Sequence, residues 1–327
     1  MAEGSDLILG VSGQDGAYLA QLLLSRGRIV FGTSRKPPDQ PFPNLERLGL
    51  LGRVGVLECD TCDIVALGEI VTSRNVQRLF ILSGQSSVGA SFKLPAETYR
   101  SILTSTVGVL ELARTRFPGL RIMHAGTSEV FGNQGRNRCT ERTQHQPRSP
   151  YAAAKSAAMT AVQVYREAYN LFACNAILFN HESPLRPESF VISKIVNTAA
   201  RIAAGSNEKL TLGNLAIARD WGWAPDYVAG MVRMLEMDAP DDYVIATGDT
   251  HTLADVIDRV GDYFNLPLAK LVVSSSALLR PCDHSESYAD PSKAQEQMGW
   301  RHTADFDDLF RELCSAAAGG VSGTASR

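Results

Sequence analysis

Ser149-Pro150-Tyr151-Ala152-Ala153-Ala154-Lys155 places a phenol and an ammonium four residues apart. On a helix that spacing sets both side chains on one face, one turn apart. Ser149 suits an N-cap and Pro150 the first helical position, so Tyr151 should open the helix. A free tyrosine ionises near pH ~10. An ammonium beside it stabilises the phenolate and makes the group a usable acid or base near neutrality. The pair alone fits an ordinary helix surface equally well. Upstream, however, the apolar Leu7-Ile8-Leu9 runs into Gly10-Val11-Ser12-Gly13-Gln14-Asp15-Gly16, and Ala17 to Leu24 reads as a helix. Strand, glycine loop and helix in that order let backbone N–H groups approach a pyrophosphate at a helix N-terminus. A dinucleotide beside an activated phenol is oxidation–reduction chemistry.

The next strand, Arg28 to Ser34, ends at Arg35-Lys36 with no acidic residue. An acid there would hold a free ribose 2′-hydroxyl, whereas an arginine accommodates a 2′-phosphate. The expected cofactor is therefore NADP rather than NAD, with Arg35 at the phosphate. Two solvated surface cations are the plainer alternative.

The elements that must position these groups alternate between strand and helix patterns, as in a mostly parallel sheet covered on both faces. Val54–Cys59, Leu79–Leu82 and Arg121–Ala125 read as further strands, and a helix is expected from about Leu94 to Arg116. Polar clusters at 10–16, 83–86 and 127–129 all fall at the carboxyl ends of strands, where such sheets bind ligands. Past residue ~180 the alternation fades, as a separate substrate lobe would require. The expected division is 1–178 for the cofactor domain and 179–315 for a partly interleaved substrate lobe. Residues 316–327 are expected to be a disordered Gly/Ser/Ala-rich tail.

The chain has 327 residues, 44% hydrophobic and 20% charged, with a net charge of −3. Nothing in that balance calls for a nucleic acid or an anionic membrane. No apolar run reaches the ~18 residues of a bilayer span, and the N-terminus does not read as a secretory leader, so a cytoplasmic enzyme is expected. Cys59 and Cys62 form a lone Cys-x-x-Cys without the second pair a metal site needs. With Cys139, Cys174, Cys282 and Cys314 they read as free thiols, and no metal is expected.

Several motifs occur in one order: Gly10-x-x-Gly13-Gln14-Asp15-Gly16, Thr127-Ser128-Glu129, Tyr151-x-x-x-Lys155, and Leu178-Phe179-Asn180-His181-Glu182-Ser183-Pro184. Leu212-Gly213-Asn214, Arg219-Asp220-Trp221-Gly222 and Arg280-Pro281 complete the set. From about residue 6 to 312 the chain resembles the GDP-mannose 4,6-dehydratases of the extended short-chain dehydrogenase/reductase superfamily. The resemblance implies a Rossmann-type doubly wound parallel sheet with a smaller mixed α/β C-terminal substrate lobe. It implies catalysis by Thr127, Glu129, Tyr151 and Lys155. Tyr151 would deprotonate the C4 hydroxyl of a nucleotide-bound hexose, Thr127 would hydrogen-bond that oxygen, and Lys155 would hold the nicotinamide ribose. Glu129 would take the C5 proton, water would leave from C6, and the hydride first taken from C4 would return to C6. Cofactor contacts would come from Gly10, Gly13, Gln14, Asp15, Gly16, Arg35, Asp60, Ser83, Gln85, Leu178, Asn180 and His181. Substrate contacts would come from Ser86, Asn180, Lys194, Leu212, Gly213, Asn214, Arg219, Arg280 and Asp283. GDP-mannose is the favoured substrate.

The chain departs from the family pattern mainly in the substrate half. His124 stands for glutamine, Gly126 and Ser193 for serine and arginine, Ala218 for lysine, and Asp283 for glutamate. Three readings therefore stay beside the first, one of them a dehydratase for a different nucleotide sugar. A 4-epimerase or 4-keto reductase of the same superfamily would use Tyr151 and Lys155 with no need of Glu129, and a non-catalytic NADP-binding regulator would use neither. A homodimer through the alanine-rich Tyr151 helix, or a tetramer, is the expected assembly.

Overall fold

Seven apolar runs form one parallel sheet in the computed structural model, which describes residues 4–275 and 285–324. The strands are β1 (Ser5–Leu9), β2 (Ile29–Ser34), β3 (Gly55–Glu58), β4 (Val76–Ile81), β5 (Arg121–Ala125), β6 (Ala173–Leu178) and β7 (Tyr243–Ile245). They lie in the order β7-β6-β5-β4-β1-β2-β3, and every pairing is parallel. All five residues of β1 are buried, as expected of a strand covered on both faces. Leu7, Leu9, Leu79 and Ile81 join one core cluster, and Ile8 and Phe80 join the other. That is the period-two alternation of a strand dividing side chains between two helical layers. The chain order reverses between β1 and β4, and the crevice beyond their carboxyl ends is where this topology binds ligands.

One expectation is met with an added irregularity, and one needs correction. The stretch 94–116 is helical but not one regular helix. A π-turn at Arg100–Thr104 separates Pro95–Tyr99 from Ser105–Arg116. Hydroxyls of Ser105 and Thr106 bond the carbonyls of Ser101 and Ile102, each at 2.7 Å, and such back-bonding competes with a regular helical ladder. The tail also differs, because the last helix runs from Phe306 to Thr324, through most of the segment expected to be disordered. Ala316, Ala317 and Ala318 are strong helix formers, and Ala317 packs against the core of the second lobe.

That lobe is built of short ladders. Asn180–Glu182 pairs with Trp221–Trp223, Leu210–Leu212 with Val272–Ser274, and Ala218–Arg219 with His251–Thr252. Helices Val191–Ala203 and Leu253–Phe264 close its own apolar core. The chain also returns to the first lobe. Tyr243–Ile245 supplies the edge strand of the main sheet, and helix Ala224–Met234 packs on helix Gln14–Ser25. Among the described residues no helix is long and apolar enough to cross a membrane. The five cysteines among the described residues are free thiols.

Candidate active site

The glycine loop turns from β1 into helix Gln14–Ser25. Gly10 has φ +90°, and a side chain on Gly16 would meet the Gly10 carbonyl at 2.4 Å, so the turn itself demands both. Gly13 differs. A Cβ there would touch only the Gly10 oxygen, at 3.5 Å, so the fold does not require glycine at this position. Gly13 is also the helix N-cap and makes no side-chain cap bond. Open backbone at an uncapped helix N-terminus fits a pyrophosphate.

The side chains that follow are engaged with one another. His181 Nε2 lies 3.0 Å from both carboxylate oxygens of Asp15, and its Nδ1 lies 2.7 Å from the Phe179 carbonyl oxygen. Both ring nitrogens face acceptors, an arrangement that favours the doubly protonated ring. Burial opposes charge on both partners, yet their attraction brings Asp15 down to about 2 and holds His181 above its ordinary value. Gln14 Nε2 donates to Asp15 Oδ1 at 3.0 Å, and Ser183 Oγ donates to Gln14 Oε1 at 2.8 Å. This clasp fastens the glycine loop to the segment after β6. Sequence reasoning placed Gln14, Asp15 and His181 at the cofactor; their side chains hold the loop that would bind it.

Ser149 caps the helix Pro150–Tyr169 by accepting from Ala152 N at 3.0 Å. Tyr151 and Lys155 are both buried and line one cavity with Thr127, Glu129, Ser83, Gln85, Ser86, Leu178, Asn180, His181 and Asp15. Burial pushes Tyr151 up to about 12, with Glu129 adding to that rise, while a hydrogen bond to Thr127 works the other way. Burial brings Lys155 down to about 8, and its Nζ donates to the Ala125 carbonyl at 2.6 Å. The expectation that Lys155 would depress Tyr151 is thus corrected. Both groups are sequestered under the strand ends, so loss of water dominates each, and the acidifying hydrogen bond on the phenol is Thr127's. Thr127 Oγ1 also accepts from Glu129 N at 3.3 Å, tying the hydroxyl and the carboxylate into one turn.

Other predicted residues lie outside this cavity. Asp60 accepts from Cys62 N at 2.9 Å and pairs with Arg100 at 2.7 Å, and Arg35 is exposed beside Glu97 at 3.6 Å. These mark the β2–β3 edge, where a dinucleotide's adenosine would lie. Lys194 Nζ donates to Thr211 O at 2.7 Å, which places it beside the Leu212–Asn214 turn. Arg219 is buried, and its Nη1 donates to the carbonyls of Ala218 and Ser285 at 2.9 and 3.3 Å. Arg280 and Asp283 lie outside the described residues.

Sequence reasoning missed Arg186, which lines the same cavity. It sits 3.5 Å from buried Glu182 and stacks at 3.8 Å over Phe190. Its signal was present: a lone arginine within a Ser/Pro/Glu turn directly after the Phe-Asn-His-Glu run. It also missed the layer beneath Lys155. His124 is buried, its Nδ1 lies 2.9 Å from Asn175 Oδ1, and Asn175 Nδ2 donates to Met159 O at 3.0 Å. That amide orientation puts the proton on Nδ1, and burial brings His124 down to about 3, so the ring is neutral.

The family model described as GDP-mannose 4,6 dehydratase matches residues 7–313. Among curated relatives, GDP-mannose 4,6-dehydratase of Sinorhizobium fredii is 38% identical, covering 94% of both chains. GDP-mannose 4,6 dehydratase 2 of Arabidopsis thaliana is 37% identical over 94% of this chain and 85% of its own. Among solved structures, dTDP-glucose 4,6-dehydratase of Bacillus anthracis in complex with NAD superposes with a TM-score of 0.85. It is 18% identical and covers 98% of each chain, so it shows the shared fold. The match over residues 7–313 and the identities above 30% lead to one conclusion: the chain belongs to the GDP-mannose 4,6-dehydratase family.

Proposed function

We propose that this protein is an NADP-dependent hydro-lyase that converts GDP-mannose to GDP-4-keto-6-deoxymannose. The observation that carries the reading is Glu129 in the same cavity as Tyr151, Thr127 and Lys155. A redox enzyme that only oxidises or epimerises C4 needs the phenol; a dehydratase needs a second base as well.

Gly13 and the uncapped start of helix Gln14–Ser25 would hold the pyrophosphate of the dinucleotide, and Arg35 its 2′-phosphate. When bound, the dinucleotide supplies what side chains cannot, accepting a hydride from C4 and returning it at C6. Tyr151 takes the proton of the C4 hydroxyl. Thr127 holds that oxygen and the phenol in one hydrogen-bonded line. Lys155, one helical turn on, would hold the nicotinamide ribose. The new ketone acidifies C5, Glu129 removes the C5 proton, and C6 loses its hydroxyl as water. A proton returned to C5 completes the balance, so the net change is loss of one water. Lys194 and Arg219 are the cations of the second lobe suited to the diphosphate. A cytoplasmic homodimer through helix Pro150–Tyr169 is part of the same reading.

The test is incubation of the purified protein with GDP-mannose and NADP, followed by mass spectrometry and NMR. Loss of one water and of the C6 hydroxyl, with a ketone at C4, is expected. A product that keeps its C6 hydroxyl would assign the site to an epimerase or reductase.

A further inference from the structure

Two guanidiniums converge on one carboxylate at the outer rim of the sheet. Arg35 directly follows β2, and its Nη1 lies 3.6 Å from Glu97 Oε1. Arg100 reaches the same side chain from the other side, its Nη1 3.7 Å from Glu97 Oε2. Arg100 is also anchored, because its Nη2 donates to Asp60 Oδ2 at 2.7 Å and Asp60 stands two residues beyond β3, the neighbour of β2. The π-turn at Arg100–Thr104 begins at this arginine, so the irregular turn sets where its side chain leaves the helix. No sequence motif singled out Arg100.

We propose that Arg100 is a second clamp for the 2′-phosphate of the dinucleotide, closing with Arg35 on a single dianion, and that Glu97 holds the place as an internal competitor. The proposal rests on the NADP reading above. Three lines of chemistry lead to it. The adenosine ribose of a doubly wound sheet lies off the end of β2, beside the glycine loop, which is where Arg35 stands. Both separations from Glu97 exceed the ~3.2 Å of a good N–H···O bond, so charge rather than directed hydrogen bonding holds that carboxylate. All three side chains are at least one-third exposed, and exposed ion pairs of this kind contribute little, so Glu97 yields at small cost. A phosphate offers two negative charges and three acceptor oxygens, which two arginine forks engage more fully than one carboxylate can. The Arg100–Asp60 bond keeps the second fork in place while Glu97 leaves.

The experiment is calorimetric titration of the wild type, Arg100→Ala, Arg35→Ala and Glu97→Gln with NADP, NAD and 2′,5′-ADP. The last probe isolates the 2′-phosphate and needs no turnover. The wild type should prefer NADP. Arg100→Ala should lose about tenfold in affinity for NADP and for 2′,5′-ADP, with NAD changed by less than about twofold, as expected when one charged hydrogen-bonding partner is removed. Glu97→Gln should bind NADP about threefold more tightly, since a competing exposed charge is gone. Equal loss for NAD and NADP in Arg100→Ala would overturn the proposal, because Arg100 would then act through Asp60 on the adenosine. Loss of preference in Arg35→Ala with none in Arg100→Ala would overturn it while leaving the NADP reading standing. A wild type that binds NAD as tightly as NADP would sink the NADP reading itself.

Discussion

The two regions of this molecule proposed to bind and transform the substrate, called its walls below, are built differently. One is the carboxyl edge of a seven-stranded sheet, where β1, β4, β5 and β6 end in Gly10–Gly16, Ser83–Ser86, Thr127–Glu129 and Leu178–His181. Strands buried on both faces fix those ends, and the clasp between Asp15 and His181 ties two of them together. The other wall stands on ladders of two or three residues, at Leu210–Leu212 and Ala218–Arg219. Its cations are occupied by backbone carbonyls, Lys194 at Thr211 and Arg219 at Ala218 and Ser285. The first wall holds the proposed reacting groups on fixed strand ends, and the second positions its groups through its own loops. Changes in the first should therefore strike kcat, and changes in the second should strike KM.

The largest effect is expected at Tyr151. Tyr151→Phe keeps the ring in its buried site and removes the proton-transfer oxygen. Turnover should fall by about 10³-fold or more, in line with loss of a positioned acid–base group. A loss below about tenfold, measured by initial rates, would mean that another group takes the C4 proton. Glu129→Gln ranks next, at about 10²–10³-fold, for the same reason. Here the comparison sharpens, because oxidation at C4 should survive. A single-turnover experiment should show reduced nicotinamide absorbance accumulating in Glu129→Gln and not in Tyr151→Phe. Absence of that signal in both variants would remove Glu129 from the elimination step.

Lys194→Ala probes the second wall. It removes a cation and the bond to Thr211, leaving the reacting groups untouched. KM should rise about fivefold to tenfold with kcat within about twofold, as for an interaction equally strong in ground and transition states. A fall in kcat with KM unchanged would break the comparison, since the second lobe would then be acting on the chemistry.

The same contrast explains what the sequence disclosed. Leu7-Ile8-Leu9 with three spaced glycines is legible because the turn itself demands Gly10 and Gly16, and Ser149-Pro150 is legible because capping is local. The ordering of strand-end clusters, and so the gathering of Thr127, Glu129, Tyr151 and Lys155, follows from sheet topology. What stayed hidden depends on burial and on distant partners. Nothing in Tyr151-x-x-x-Lys155 tells that burial would dominate in setting the phenol. Nothing local tells that Gln14, Asp15 and His181 would bind one another across more than 160 residues. The π-turn at Arg100 comes from hydroxyls competing for carbonyls, which a count of apolar spacing does not register. The helix through Ala316–Ala318 was misread because composition speaks to the isolated segment and not to the core beside it.

The smallest effect is expected at the seam between the walls, the Asp15–His181 clasp, and it is read as stability against pH. His181 sits above its ordinary 6.5 in the folded chain, so its contribution is complete below pH 6.5 and is lost as pH rises through the folded value. Asp15 is brought from 3.8 to about 2, so its contribution is complete above pH 3.8 and is lost as pH falls toward 2. The clasp is therefore fully engaged between about pH 4 and 6.5. Thermal midpoints should decline from pH 6 to pH 9 as His181 loses its proton. His181→Asn removes the titrating ring, so its midpoint should be lower at pH 6 and nearly level across that range. An undiminished slope in His181→Asn would place the pH dependence elsewhere. The glycine loop would then owe its position to the sheet alone, and the two walls would be mechanically independent.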